Sequence, residues 1–364
     1  MNHEARRDRV LKAMDGARHG VLAVAPGPNM AYLFGWHPHV DERPCYAFLT
    51  GRGTALVMPD LNLTEAKAHL DLPMEAYADG EGPQAPLVRL ADRLSLAETD
   101  RVWVEDTMRY DFVRELETVL PGAPYRLSAS LLAPIRARKD SEEVAALKVA
   151  AGHADHAMTR AFERMAEGMT EAELAKVIEE AFQEAGADKT NFTIVGSGAN
   201  GAFPHHSFSD RRLLKGDAVV LDIGGAKDGY NGDLTRVAHI GEPTDEYRKV
   251  HAVVEKAVRA ALSIIKPGVR AGDVDRAARG VIEEAGYGPY FTHRVGHGIG
   301  VTGHEPPFLT GNNDLPLEVG MTFSVEPGIY IPGRFGVRLE EIVALTDEGP
   351  EILSRLPRDV RVIS

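Results

Sequence analysis

Cysteine is almost missing from this chain of 364 residues: Cys45 is the single one. One thiol excludes an intramolecular disulfide framework and any cysteine-based zinc site, and it suits a reducing compartment. Long apolar runs are missing as well. No stretch approaches the roughly 18 consecutive apolar residues of a membrane span, and residues 1–18 are charged and helix-like, without the apolar core of a secretory leader. A cytoplasmic location and no membrane partner are expected. Positive charge is in deficit, with 41 Lys+Arg against 54 Asp+Glu and a formal net charge of −13. Non-specific nucleic-acid binding needs a concentrated basic surface, so no nucleic-acid partner is expected. What is present is ordinary for a folded protein, 44% hydrophobic and 26% charged. At roughly 100–200 residues per domain, the length predicts about two domains, with an acid excess to be explained.

The first third alternates elements. Residues 4–15 read as a helix and 20–25 as a strand; 45–50 and 54–58 are strands about a Gly-Arg-Gly turn. Residues 84–97 read as a helix and 102–105 as a strand, and such alternation predicts an α/β layer. A Pro/Gly-spotted stretch over 121–134 breaks the pattern, placing the boundary near 130–138. At Asp140-Ser-Glu-Glu143 a capping-box pattern opens a long Ala-rich helix to about residue 166.

The remainder carries an internal repeat. Gly168 and Gly268 each begin an amphipathic segment that ends Glu-Ala-Gly, at Gly186 and Gly286. At the same offset, Val195-Gly-Ser-Gly198 matches Val295-Gly-His-Gly298. With the offset drifting to 104, Leu221-Asp-Ile-Gly224 falls on Val325-Glu-Pro-Gly328. Two copies are too few for a solenoid, so a single pseudo-symmetric α+β domain is predicted.

Each copy holds a hairpin with opposed acids. A turn centred on Lys227-Asp228 sets Asp222 against Asp233, and a loop centred on Gly333 sets Glu326 against Glu340. Directly opposed side chains in a sheet lie about 4.5–5.5 Å apart at Cβ, where like charges are destabilising. Buried, unpartnered carboxylates are costlier still. Two such pairs, at equivalent places in a repeat, ask for a shared cation, and hard oxygen donors suit divalent metals. The competing reading sends one acid of each pair to solvent or to an arginine such as Arg236 or Arg338. His297 breaks the symmetry, since its counterpart is Ser197. It lies in a glycine-rich run with His293 and His304, three histidines in a pattern that suits a site better than a core. His205 and His206 form a further cluster.

These residues resemble the pita-bread metallopeptidases: methionine aminopeptidase, aminopeptidase P, prolidase and creatinase. The match covers about 134–364, with a weaker one over 1–132. The family's Asp, Asp, His, Glu, Glu ligand pattern falls on Asp222, Asp233, His297, Glu326 and Glu340, at intervals of 11, 64, 29 and 14 residues. The segment 293–305 departs from the proline-peptidase signature only at Gly303, which touches no ligand. Glu341 is turned to the other face by strand alternation and is not expected to be a ligand. The resemblance implies an α+β pita-bread domain over 133–364 preceded by a smaller α/β domain over 1–132. It implies two divalent ions per subunit, manganese first and cobalt or zinc as alternatives. It assigns Glu326 a proton shuttle, His205 and His304 positions beside the reacting carbonyl, and His293, Tyr330 and Arg338 the substrate pocket.

The extra N-terminal domain separates the chain from methionine aminopeptidase, and five intact ligands separate it from creatinase. Hydrolysis before proline in dipeptides or short peptides is the implied activity. A homodimer formed through the N-terminal domain is implied too, with the loop Trp36–Arg43, Trp36 foremost, lent to the neighbouring subunit. A dipeptidase needs a cation near the chemistry for its substrate's carboxylate. Pro306–Gly320 contains no Lys or Arg, which counts against strict dipeptidase action, although Arg338, Arg334 or an N-domain residue could substitute; prolidase and aminopeptidase P are left level. A metal-free peptide-binding module is the alternative from another class; such members lose ligands, and none is lost here.

Overall fold

The computed structural model describes residues 1–14 and 19–364. The chain divides into two compact units, Met1–Arg136 and Ala137–Ser364. The first is a six-stranded sheet in the order Met74–Tyr77, Gly53–Pro59, Tyr46–Thr50, Gly20–Val24, Arg101–Val104, Tyr125–Leu127. Its central strands are buried throughout, and Val21, Phe48, Val57 and Val102 pack with Leu87, Leu90 and Leu116 from two amphipathic helices. The first helix runs His3–Ala13; residue 15 of the expected 4–15 span lies outside the described residues. The helix expected over 84–97 stops at Arg93, because Ser95 turns to φ +52° and a short 3-10 turn follows at Leu96–Glu98.

In the second unit the repeat is written in backbone geometry. Ser141–Arg164 opens with the expected capping box, in which Asp140 accepts from the Glu143 N–H and Glu143 from the Asp140 N–H. It is followed by the helix Glu171–Glu184, as Asp245–Ile264 is followed by Ala271–Glu284. Gly168 and Gly268 enter the shorter helices with φ +84° and +88°, and Gly186 and Gly286 leave them with +88° and +85°. The Gly168 N–H bonds the Leu213 carbonyl and the Gly268 N–H the Leu317 carbonyl, reproducing the offset of 104. Each helix pair covers its own sheet: Met158, Leu174 and Phe182 pack on Leu221 and Leu234, and Val254, Val258 and Val274 pack on Val295 and Phe323.

The first-copy sheet runs Arg361–Ile363, Tyr230–Ile240, Ala218–Lys227, Lys189–Ser197. Its hairpin is one step longer than expected. Lys227 pairs with Tyr230, leaving Asp228 and Gly229 as a two-residue turn with φ +50° and +80°. Such a turn matches the twist of the flanking strands, and Asp-Gly is a favoured pair for it. Asp222 therefore faces Thr235, and Asp233 faces Gly224. A shift of two residues preserves the face, so the two acids are diagonal neighbours instead of direct partners.

In the second copy, Val325 pairs with Glu341 and Gly328 with Arg338. Glu326 and Glu340 fall at the junction where a five-stranded sheet passes into a two-stranded ribbon, in the expected register but bonded within neither. Behind the acids the Ala-rich helix comes very close: a Cβ on Gly232 would stand 2.5 Å from the Ala150 carbonyl oxygen. Gly232→Ala should accordingly cost about 1–3 kcal/mol by overpacking, read as a lower denaturation midpoint. Because Asp233 is the next residue, metal affinity should fall with it.

Candidate metal centre

Asp222, Asp233, His297, Glu326 and Glu340 converge on the wall of one cavity of 1080 Å³. The strands Ala218–Lys227 and Tyr230–Ile240 supply the two aspartates. The short strand Gly296–Gly298 and the sheet–ribbon junction supply the rest. Donor atoms of Asp233, His297 and Glu340 all lie within 4.8 Å of one another. His297 Nε2 stands 3.2 Å from Glu326 Oε1 and 4.0 Å from Asp233 Oδ2.

The donor set is tuned by its surroundings. His297 Nδ1 lies 3.1 Å from the Gly298 carbonyl oxygen; a carbonyl only accepts, so Nδ1 carries the proton. Nε2 is then the ring nitrogen that faces Glu326 and Asp233, the one that would hold a metal. Thr235 donates to one Glu340 oxygen at 2.8 Å, and Ser324 to Glu326 at 3.0 Å. Ser324 also accepts from the His297 N–H at 2.9 Å, tying two members of the cluster together. Meanwhile Asp222 Oδ1, Asp233 Oδ1 and Glu340 Oε1 are buried with no hydrogen-bond partner. Buried polar atoms are nearly always satisfied, so three orphaned carboxylate oxygens around an imidazole fit a divalent cation.

Electrostatics agree. Burial, then the charges of Glu340, Asp222 and Glu326, push the Asp233 carboxyl well above the usual range. Burial, with Glu326 and Asp222, does the same to Glu340. Glu326 goes the other way: burial works to raise it, but the hydrogen bond and charge of His297, with His293 and Arg338, hold it at about 2.

Both expected arginines meet acids, but only one meets a cluster member. Arg338 donates to Asp222, to the Tyr330 hydroxyl at 2.7 Å and to Thr235 at 3.2 Å. Tyr330 continues the chain to His293 Nε2 at 2.9 Å, while His293 Nδ1 donates to the Arg294 carbonyl at 2.7 Å. His293, Tyr330 and Arg338 thus form one relay ending on Asp222, with Tyr330 buried and His293 and Arg338 on the cavity wall. Arg236 instead donates to Glu341 at 3.0 Å and to the Glu340 carbonyl. Glu341 therefore points away from the cluster and holds it from behind.

His304 and His205 line the same cavity. The His304 ring lies 3.8 Å from that of His297, centre to centre. Loss of solvent there, with the nearby His297 charge, lowers His304 to about 4, so it is neutral near pH 7. Three further acids, unremarked from sequence, place these loops. Glu171, fully buried, accepts from the Ser197 N–H and hydroxyl, Asn200, Ser209 and His206, anchoring the loop that carries His205. Glu305 pairs with Lys139 at 2.9 Å in the interior, beside His304. Asp275 accepts from the Val295 N–H at 3.0 Å, just before His297. Their partners are 26, 166 and 20 residues away, so no local spacing announces them. Arg294, also on the cavity wall, was another residue the motif reading passed over. Trp36 belongs to the first unit, where it is buried, stacks on His69 and donates to Glu65 at 3.3 Å.

A duplicated α+β fold that gathers buried acids and an imidazole in a cavity defines a metal-dependent hydrolase. Residues 145–347 match metallopeptidase family M24, and 6–137 match the creatinase/prolidase N-terminal domain; the chain belongs to that family and is a metallopeptidase. It is 39% identical over 348 residues to the probable dipeptidase PepE of Mycobacterium tuberculosis, covering 94% of this chain and 92% of that one. It is 31% identical to the Xaa-Pro dipeptidase of Pyrococcus horikoshii over 99% of both chains. The crystal structure of a prolidase from Thermococcus sibiricus superposes with a TM-score of 0.93 at 33% identity, covering 100% of each chain.

The raised acids give the metal-free protein a signed pH dependence. Folded Asp233 and Glu340 keep protons that the unfolded chain releases near pH 4. Their contribution is complete below that value and is lost as pH rises through the raised ones. Chelator-treated protein should lose melting temperature as pH rises above the ordinary carboxylate range, and Glu340→Gln, which mimics the protonated acid, should lack part of that slope. Mn²⁺ should restore stability increasingly with pH, by about 2.7 kcal/mol at a hundred times Kd. No response to Mn²⁺ at pH 8 would count against the site.

Proposed function

We propose that this metallopeptidase hydrolyses the peptide bond before proline in dipeptides or short peptides. The observation that carries the reading is the set of orphaned buried carboxylate oxygens around His297, opening on a cavity walled by histidines and apolar rings. The names of the relatives, Xaa-Pro dipeptidase and prolidase, support the proline specificity. Retention of every donor favours an enzyme over a metal-free binding module.

Asp222, Asp233, His297, Glu326 and Glu340 would hold two divalent ions, whose four positive charges offset the four carboxylates. An oxygen-rich set with one imidazole suits Mn²⁺ first, and Co²⁺ or Zn²⁺ as well. Bound there, the ions supply an activated water and a polarised scissile carbonyl. The chain's residues do the rest. Glu326 would take the water's proton and return it to the departing nitrogen. His304 accepts at Nδ1 from Arg294, 3.4 Å away, so its proton sits on Nε2, free for the carbonyl oxygen as negative charge grows. His205 offers a second donor from its anchored loop. The proline nitrogen carries no N–H, so the leaving side needs a ring pocket instead of an acceptor. Phe192, Ile194, Pro204, Phe208 and Phe308 on the cavity wall provide apolar surface for it.

We further propose a cytoplasmic homodimer in which the loop Trp36–Arg43 serves the neighbouring subunit. Trp36 is its rigid root, while His39 and Val40 are exposed at its tip. The Mn²⁺-loaded protein should release proline from Ala-Pro, and no release from Ala-Pro or Ala-Pro-Ala would end the assignment. Glu326→Gln should lower kcat about 10²–10⁴-fold with the circular dichroism spectrum unchanged. Trp36→Ala should raise KM; unchanged KM and kcat would end the loop's role.

A further inference from the structure

We infer that Glu171 is a positioning residue for the reaction, aiming the His205 imidazole into the cavity by holding the chain segment 203–209. The inference rests on the proline-peptidase reading above, in which His205 serves the reacting carbonyl. His205 lines the cavity with Asp222, His297 and Glu326, yet its own ring makes no hydrogen bond among the described residues. It is the third residue of a turn closed by the His206 N–H on the Phe203 carbonyl at 3.1 Å, with Pro204 second. Proline in second place presets the backbone, which stiffens the turn without aiming it. Burial does not aim it either: Phe203 and Phe208, the large apolar side chains on either side, are 61% and 42% exposed. The preceding turn, Gly198–Ala202, is wedged by packing instead. A Cβ on Gly201 would stand 2.9 Å from the Gly196 carbonyl oxygen, and one on Gly336 would strike the Gly201 carbonyl.

One buried carboxylate fastens what packing leaves free. Glu171 Oε1 accepts from the Ser197 N–H at 2.8 Å, the Ser197 hydroxyl at 2.6 Å and the Asn200 amide at 3.0 Å. Oε2 accepts from Asn200 at 3.1 Å, the Ser209 hydroxyl at 2.6 Å and His206 Nε2 at 2.9 Å. The backbone adds to this, since the Glu171 N–H donates to the Arg211 carbonyl and the Ala172 N–H to that of Ser209, each at 3.0 Å. The chain is thus held before the turn, at the neighbour of His205, and after it. All six contacts of the side chain are with donors, and their directions are fixed. Arg211 donates to the Ser197 hydroxyl oxygen at 2.6 Å and, from its N–H, to that of Ser209 at 3.2 Å, so both hydroxyl protons turn to Glu171. Burial works to raise the Glu171 carboxyl, but the bonds from Ser197, Ser209 and His206 outweigh it and hold it below the usual range. A glutamine of the same size would set an NH₂ against these donors and leave some of them unpaired. The acceptor character of the carboxylate, more than its shape, therefore orders the segment.

The test is a double-mutant cycle on the Mn²⁺-loaded enzyme: the natural chain, Glu171→Gln, His205→Ala and the two combined. Each is measured for kcat and KM on whichever of Ala-Pro and Ala-Pro-Ala the natural chain turns over faster. His205→Ala should lower kcat about 10²-fold, as loss of one preorganised donor does. Glu171→Gln should lower kcat about 10- to 100-fold by misplacing that donor, with KM and the Mn²⁺-dependent shift in melting retained. In the His205→Ala background the same change should alter kcat less than about twofold, because the group it acts through is gone. A role in stability alone would be felt equally in both backgrounds. Ser209→Ala, at a half-buried position, should show a smaller loss with the same dependence on His205, and it carries the cycle if Glu171→Gln does not fold. An undiminished kcat in the Glu171 or Ser209 variant, a His205→Ala enzyme as fast as the natural one, or losses of equal size in both backgrounds would overturn the inference while leaving the proline-peptidase reading intact. No turnover of either peptide by the natural chain would overturn both.

Discussion

Four carboxylates forced into one buried cavity are the constraint around which the catalytic unit is arranged. Left alone, they repel each other and lose their hydration, and the structure shows the strain in the upward shifts of Asp233 and Glu340. Only one of the four, Asp222, meets an arginine, and that arginine is shared with Tyr330 and Thr235. A core that wanted only stability would have replaced these acids with apolar residues of the same volume. Their retention makes sense as a cage for cations, and the hydroxyls of Thr235 and Ser324 orient two of them without neutralising any.

The duplicated architecture explains how such a cage can be assembled. Each half supplies a helix pair, a sheet and a pair of acids at equivalent places, and the glycines that begin and end the short helices repeat the same backbone conformation. Symmetry stops at the chemistry. Where the second copy has His297, the first has Ser197, whose hydroxyl and N–H are given to Glu171. One half's strand end carries a donor to the cavity, and the other's is used to secure a loop. The same frame thus yields an asymmetric site in which His205, His297 and His304 each stand on differently anchored chain segments.

Much of this was legible in the sequence, and the reasons are local. The acids sit on strands with strong turn signals, the histidines in a glycine-rich run, and the repeat in matched glycines. The register between Asp222 and Asp233 was read two residues short because the turn could be centred on Lys227-Asp228 or on Asp228-Gly229. Backbone preference for positive φ at both central positions decides for the latter. Glu171, Asp275 and the Lys139–Glu305 pair were not legible, since their partners meet only through the tertiary fold. Arg294 was overlooked for a related reason: a search along 306–320 for a cation could not see one that reaches the Phe308 ring from the segment just before the strand Gly296–Gly298.

The split origin of the cage has a mechanical side. Asp222 and Asp233 belong to the first copy of the repeat, and His297, Glu326 and Glu340 to the second. A cation held by all five would be a rivet through the seam between two half-domains, beside a core in which Val220 and Val237 of the first pack with Val325 and Val337 of the second. Filled, the cage would tie the halves together a second time, because neither could open without surrendering the ion. Empty, it leaves mutual repulsion at the polar end of an otherwise apolar seam. Bound metals would thereby add to the cohesion of the whole catalytic unit.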